Sequence, residues 1–199
     1  MNSRAATPGV LFLALLWSGW NQWENRPFHP PDGVVAPDEP QQSDTNTAAT
    51  IRIGRWTLMP RAHYDITARI LGKETYRVDP LADLIPEDLA LGWGPMSDNQ
   101  ILAAFDISQG ARFYSWRPRT VLPIPREDVI AHSANTHVIP RDSSVRARLA
   151  RLRVGQVVHL TGTLVDATRN DGGILRTSLT RTDSGAGACE VMLVEAVEY

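Results

Sequence analysis

From Ile51 onward, apolar and polar positions alternate in short runs, and that two-residue period predicts strands. Ile51 to Leu58 alternates as Ile51, Ile53 and then Trp56, Leu58, and Tyr64 to Leu71 as Tyr64, Ile66, Ala68, Ile70 with Asp65, Thr67 and Arg69 between them. Both read as half-buried strands. Gly155 to Ala167 is the longest run, with Val158, Leu160, Gly162 and Leu164 on one face and Val157, His159, Thr161, Thr163 and Val165 on the other. Asn170, Asp171, Gly172 and Gly173 supply turn chemistry, so Ile174 to Thr180 is expected to return and Val191 to Val197 to close the sheet. Gly162 inside the first of these strands permits a bulge or sharp coiling. Ala111 to Trp116 is a further strand, carrying Phe113, Tyr114 and Trp116 before Pro118.

Helical signals are short. Pro86, Glu87 and Asp88 predict the opening of a helix that stops near Gly92 to Pro95, because proline suits a first turn and acids favour its positive end. Ser97 or Asp98 is expected to cap a second helix through Phe105, with Ile101, Leu102 and Phe105 as its apolar face. Arg126 to Ile130 makes a helical turn after Pro125. Ser143 or Ser144 caps a last helix in which Val145, Leu149 and Leu152 fall at helical spacing. The expected class is α+β: a small curved antiparallel sheet, or an OB-like barrel as one way to build it, with several short helices.

An apolar run from Val10 to Trp20 precedes all of this, behind a short head carrying Arg4. Its core, Leu11 to Trp17, has the length of a signal-peptide core, while the wider segment approaches that of a spanning helix. No small-residue cleavage site follows it, and Trp17, Trp20 and Trp23 suit an interfacial belt. Residues 1–24 are therefore read as a signal-anchor helix, which places the rest of the chain in the periplasm on a single pass through the inner membrane. Residues 25–50, rich in proline and polar residues, read as a semi-extended tether in which only Gly33 to Ala36 is expected to dock. Residues 51–199 are of a size that one domain fills around one core.

Charge and cysteine content narrow the picture little. The formal net charge is −2, and Lys73 is the only lysine. Arg141, Arg146, Arg148, Arg151 and Arg153 cluster, but the spacing of Val145, Leu149 and Leu152 puts them on the solvated side of an amphipathic helix rather than in a patch for phosphate, lipid headgroups or nucleic acid. A single cysteine, Cys189, excludes an internal disulfide, and its apolar neighbours favour a buried small hydrophobe over a nucleophile.

Three stretches offer chemistry. Ala131 to His137 is expected in a loop; its candidates are His132, Ser133 and His137 for catalysis and the two histidines for a metal, although their five-residue separation does not match the helical two-histidine motif. Ser178 to Glu190 offers Arg181, Gly185 and Gly187 for an anion, with Asp183 and Glu190 as acids, against the plainer reading of an ordinary connection. Trp93, between Gly92 and Gly94, suits stacking on a ligand, against the plainer reading of a plug over one barrel end.

Leu89 to Asp98, His132 to His137 and Gly185 to Glu190, taken together, resemble a group of bacterial proteins with an N-terminal membrane anchor and no assigned activity. The resemblance covers most of the chain; it implies the membrane address and carries over no functional residue and no cofactor. The expected function is a binding or accessory module of an envelope complex, with the membrane and an envelope protein as partners and nucleic acid disfavoured by the address. One alternative is a hydrolase using His132 and His137 with Asp183 or Glu190, with or without a divalent metal. Another is an OB-type binder of oligosaccharide or nucleic acid, which requires Trp93, Tyr114 and Trp116 on one exposed face.

Overall fold

The computed structural model describes residues 26–45 and 49–199. The expected anchor helix over residues 1–24 lies outside the described residues, among which no helix is long and apolar enough to cross a membrane. The strands are β1 (Gln41–Asp44), β2 (Ile51–Ile53), β3 (Trp56–Thr75), β4 (Glu87–Gly92), β5 (Phe105–Gly110), β6 (Phe113–Pro118), β7 (Ser133–Pro140), β8 (Val157–Arg169), β9 (Ile174–Leu175) and β10 (Glu190–Glu198). The helices are α1 (Asn99–Leu102), α2 (Arg126–Ala131) and α3 (Ser143–Arg151), with a 3-10 turn at Gly94–Ser97. Mostly sheet with a few short helices, the domain is α+β.

Pairings close the sheet on itself. β3 pairs with β4, β4 with β7, β7 with β10, β10 with β8, and β8 returns to β3. The sheet is not wholly antiparallel as expected, because β7 and β10 run parallel. Register shifts between Pro60 and Ala62, between Ile70 and Gly72, and between Val194 and Ala196 bend the long strands. At Gly162 a side chain would stand 2.1 Å from the Leu193 carbonyl oxygen, so its role is the close approach of β10.

Tyr64, Ile66, Ile70, Leu89, Leu91, Val138, Leu160, Leu164, Met192 and Val194 fill the interior. Burying each of the aliphatic side chains contributes about 1.5–3 kcal/mol. A second core, with Leu58, Leu84, Ile85, Ile139, Val191 and Leu193, covers one outer face. A third packs Ile107, Tyr114 and Trp116 of the β5–β6 hairpin over Leu71, Ala90, Met96, Phe105 and Val129.

Several expected elements change identity. The helix from Pro86 is instead the strand β4, buried along its length. Glu87 and Asp88, which resemble helix-opening acids, are ion-pair partners of Lys73 and of Arg112 and His137. Ile51 to Leu58 is a hairpin: Ile53 pairs with Trp56 across Gly54 and Arg55. β3 continues through the run at Tyr64. The second helix is the single turn α1, capped by Asp98, and Phe105 already belongs to β5. The stretch from Ala131 to His137 is not a loop, since β7 begins at Ser133. The return strand shrinks to Ile174–Leu175.

Asp142, rather than either serine, caps α3, accepting from the Val145 amide at 2.9 Å. The sole lysine caps its other end: Lys73 Nζ donates to the carbonyls of Leu149 and Ala150 at 2.8 Å and of Leu152 at 3.2 Å. Part of the expected tether lies on the barrel beyond Gly33 to Ala36. Phe28 donates its amide to the Val154 carbonyl (2.7 Å), Ala36 accepts from Gly94 (2.8 Å), and β1 pairs with β3.

Candidate active site

β4, β7 and β10 lie side by side, and their outer face carries a line of polar groups. Asp88 stands directly opposite His137 in the β4–β7 register, and Val191 opposite His137 in the β7–β10 register. Residues two apart share a face of a strand, which brings Cys189 to the same side as His137. His137 Nδ1 lies 2.8 Å from Asp88 Oδ1. With Nδ1 held by the carboxylate, Nε2 is the ring nitrogen left for proton transfer. Asn135, two residues earlier on β7, donates Nδ2–H to Cys189 Sγ (3.5 Å) and to the Arg112 carbonyl (3.2 Å), and accepts from Gln109 Nε2 (2.7 Å).

Arg112 secures the far end. Ala111 and Arg112 form the β5–β6 turn at φ 50° and 69°, left-handed backbone that non-glycine residues adopt at a cost. That turn aims the guanidinium back at the barrel. Nη2 bonds both oxygens of Asp79 (2.9 and 2.7 Å), Nη1 bonds Asp88 (3.0 Å), and the group stacks 3.6 Å over the Tyr76 ring. The order Asp79, Arg112, Asp88, His137 alternates acid and base.

Asp88 is fully buried and His137 is 5% exposed. Burial opposes a charge on the imidazole, but the hydrogen bond with Asp88, the nearby Cys189 and the Asp88 charge outweigh it and push His137 up to about 9. At neutral pH the ring is therefore an imidazolium.

Cys189 is half-exposed and lines a groove of about 130 Å³. Phe113, Tyr114 and Trp116 of the hairpin form one part of the lining; Ser133 and Asn135 of β7, and Asp183, Ser184 and Gly185 of the loop 176–189 between β9 and β10, form others. Burial pushes Tyr114 up to about 12, which keeps its hydroxyl neutral.

Of the candidates in the sequence, His137 belongs to this cluster and Ser133, Asp183 and Gly185 line its groove, but they do not act together as expected. His132 is engaged elsewhere: Nε2 pairs with Glu39 at 3.1 Å and Nδ1 meets the Asp128 carbonyl at 2.7 Å. Ser133 donates to the Val129 carbonyl (2.7 Å). Asp183 accepts from Ser178 (2.7 Å), and Glu190 pairs with Arg181 inside the barrel. Among the described residues no three His, Cys, Asp or Glu side chains are grouped to hold a metal, so the His132–His137 metal candidate finds no further ligands. Gly185 and Gly187, at φ 86° and 92°, have open space where a side chain would stand; their backbone conformation, not a close approach, accounts for them. Trp93 is fully buried and donates Nε1–H to Glu39 (2.8 Å). It is a plug, and the exposed three-aromatic face does not form.

Sequence reasoning missed Cys189 as a groove residue, and it missed Asp88 and Arg112. One signal was present: Asn135 and His137 are two apart, the spacing of neighbours on one strand face. No family model matches the chain, and no curated protein or solved structure matches it.

Proposed function

We propose that the chain is a thiol-dependent acyl hydrolase or acyl transferase, carried on an OB-type barrel and held outside the cytoplasm by its N-terminal anchor. The observation that carries this reading is the Asp88–His137 pair on the sheet face that also carries Cys189, which lines the groove. An imidazolium beside a thiol, oriented by a carboxylate, is how a cysteine is made into a ready nucleophile. It replaces the expected pairing of His132 and His137 with Asp183 or Glu190.

The barrel supports the same reading. Its pairing path β3-β4-β7-β10-β8, with one parallel pair and α3 between β7 and β8, follows OB connectivity. In OB-type domains the outer face of the second and third barrel strands, with the loop between the last two, takes the ligand. Here those parts are β4, β7 and the 176–189 loop, which frame the groove. In the proposed reaction Cys189 attacks a carbonyl carbon as the thiolate, its proton having gone to solvent; a C–S bond forms and the bond to the leaving group breaks. His137 gives its proton to the leaving group and then takes one from the water or acceptor that attacks the thioester. Asn135 Nδ2, beside the sulfur, supplies a donor for the oxyanion. The aromatic wall favours an apolar acyl chain.

The full-length chain in detergent, mixed with p-nitrophenyl acetate, tests this. Nitrophenolate release and an acetyl group on Cys189, located by mass spectrometry, are expected; Cys189→Ser removes both, and His137→Asn slows acetylation by about 10²-fold or more. No adduct on Cys189, or equal rates with His137→Asn, refutes it. In that event the binding-module reading stands, favoured by Phe113, which is 52% exposed at the rim of the groove and suits contact with an envelope partner.

A further inference from the structure

A second ionic group lies on the other face of β10. Glu190 follows Cys189 directly, so its side chain turns into the barrel, where it is 1% exposed. Arg181 enters from the middle of the 176–189 loop. Its Nη1 donates to Glu190 Oε1 and to the Tyr64 hydroxyl (2.8 Å), and the guanidinium sits 5.2 Å from the Tyr64 ring centroid. The loop's remaining ties are close to its ends or within it. Ser178 Oγ donates to Asp183 (2.7 Å), the Ser178 amide to the Cys189 carbonyl (2.9 Å) and the Ala188 amide to Gly185 (3.2 Å), while Gln42 reaches the Leu179 carbonyl (3.3 Å) at the surface. Arg181 thus pins the loop to the barrel core just before the stretch containing Asp183, Ser184 and Gly185, which lines the groove beside Cys189.

We propose that the Arg181–Glu190 pair is a proton-operated latch: when Glu190 takes up a proton, Arg181 leaves the barrel and the groove wall at residues 182–188 loosens. The latch regulates the thiol site and rests on that reading only for its consequence in catalysis. Its direction follows from linkage. Arg181 stabilises the charged carboxylate, so Glu190 binds a proton more tightly when Arg181 is away, and each proton bound favours the open loop. Burial lifts Glu190 and the Arg181 charge opposes that lift, leaving it at about 7, which puts the change near neutrality. The other groups facing Glu190 are Asp183, whose charge pushes it further up, His137, whose charge pulls it down, and Tyr64, itself raised by burial and by the Glu190 charge. None of them reverses the sign.

Hydrogen exchange by mass spectrometry on the full-length chain at pH 6 and pH 8, corrected for the intrinsic pH dependence of exchange, tests the latch. Protection of the Ala188 amide, which donates to the Gly185 carbonyl, is expected to be lower at pH 6, by at most about tenfold for each pH unit below neutrality. Glu190→Gln and Arg181→Met are each expected to show low protection at both pH values. Equal wild-type protection at the two pH values, or a pH step retained in Glu190→Gln, overturns the proposal. Should Glu190→Gln fail to fold, a step retained in Arg181→Met overturns it equally. Exchange is read on backbone amides, so this outcome is separate from whether Cys189 is acylated.

Discussion

Replacing Asp88 with asparagine removes the charge that holds His137 protonated, and the effect on stability is specific in both size and pH. His137 stands at about 9 in the fold against an ordinary value of ~6.5. A folded value raised above the unfolded one stabilises fully below the unfolded value and is lost as pH rises through the folded one. The complete linkage is worth about 3 kcal/mol, of which about 2 kcal/mol disappears between pH 7.5 and pH 9.5. That window is clear of Glu190, near 7, and of Tyr64 and Tyr114, which burial raises. Urea unfolding followed by tryptophan fluorescence should show the wild-type chain losing about 2 kcal/mol across the window. Asp88→Asn should lose less than half of that. At pH 7.5 the variant is also expected to be about 3–5 kcal/mol less stable, because Arg112 gives up a charge-assisted hydrogen bond as well. An Asp88→Asn protein with the wild-type pH slope would show that Asp88 does not set the charge of His137, and the site would lose its orienting group.

Two further substitutions follow from the packing. At Gly155, with φ +90°, a side chain would lie 1.8 Å from the Phe28 carbonyl oxygen; Gly155→Ala should detach the 26–39 strap, destabilise by about 2 kcal/mol and open the chain to protease near Phe28, whereas unchanged digestion would contradict the docking. Arg112→Lys cannot bond both oxygens of Asp79 and reach Asp88 at once, so the β5–β6 hairpin should loosen, lowering the urea midpoint and slowing Cys189 acetylation; unchanged values for both would show that the bridge is dispensable.

The elements legible in the sequence are those whose own periodicity decides them. α3 keeps one helical spacing, β8 alternates from Val158 to Leu164, and β10 opens on the apolar run Val191 to Val194, too short for a buried helix. β4 was hidden because Glu87 and Asp88 answer to Lys73, Arg112 and His137, which are distant in the chain; read locally, the same acids after Pro86 open a helix. The hairpin at Gly54 was written in a phase change, odd positions Ile51 and Ile53 giving way to even positions Trp56 and Leu58, which one continuous strand cannot accommodate. The site suffered most. Cys189 sits at the edge of an apolar strand and reads as core, and only the parallel alignment of β10 with β7 brings it to His137. Parallel neighbours are joined by long connections, so no local signal records them.

Residues 93–132 leave the barrel at Gly92 and return at Ser133, two positions paired across β4 and β7, and the excursion closes with a bond from the Trp93 amide to the His132 carbonyl (3.0 Å). Its ends are therefore adjacent before it is built, which makes the whole hairpin-bearing segment a cassette. Phe113, Tyr114 and Trp116 travel with the cassette, whereas Asp88, His137 and Cys189 stay on the barrel. Selectivity can then drift with the segment while reactivity stays on the barrel, under two obligations: whatever segment occupies the gap must return a cation to Asp88 and hold Asn135 in place, as Arg112 and Gln109 do here.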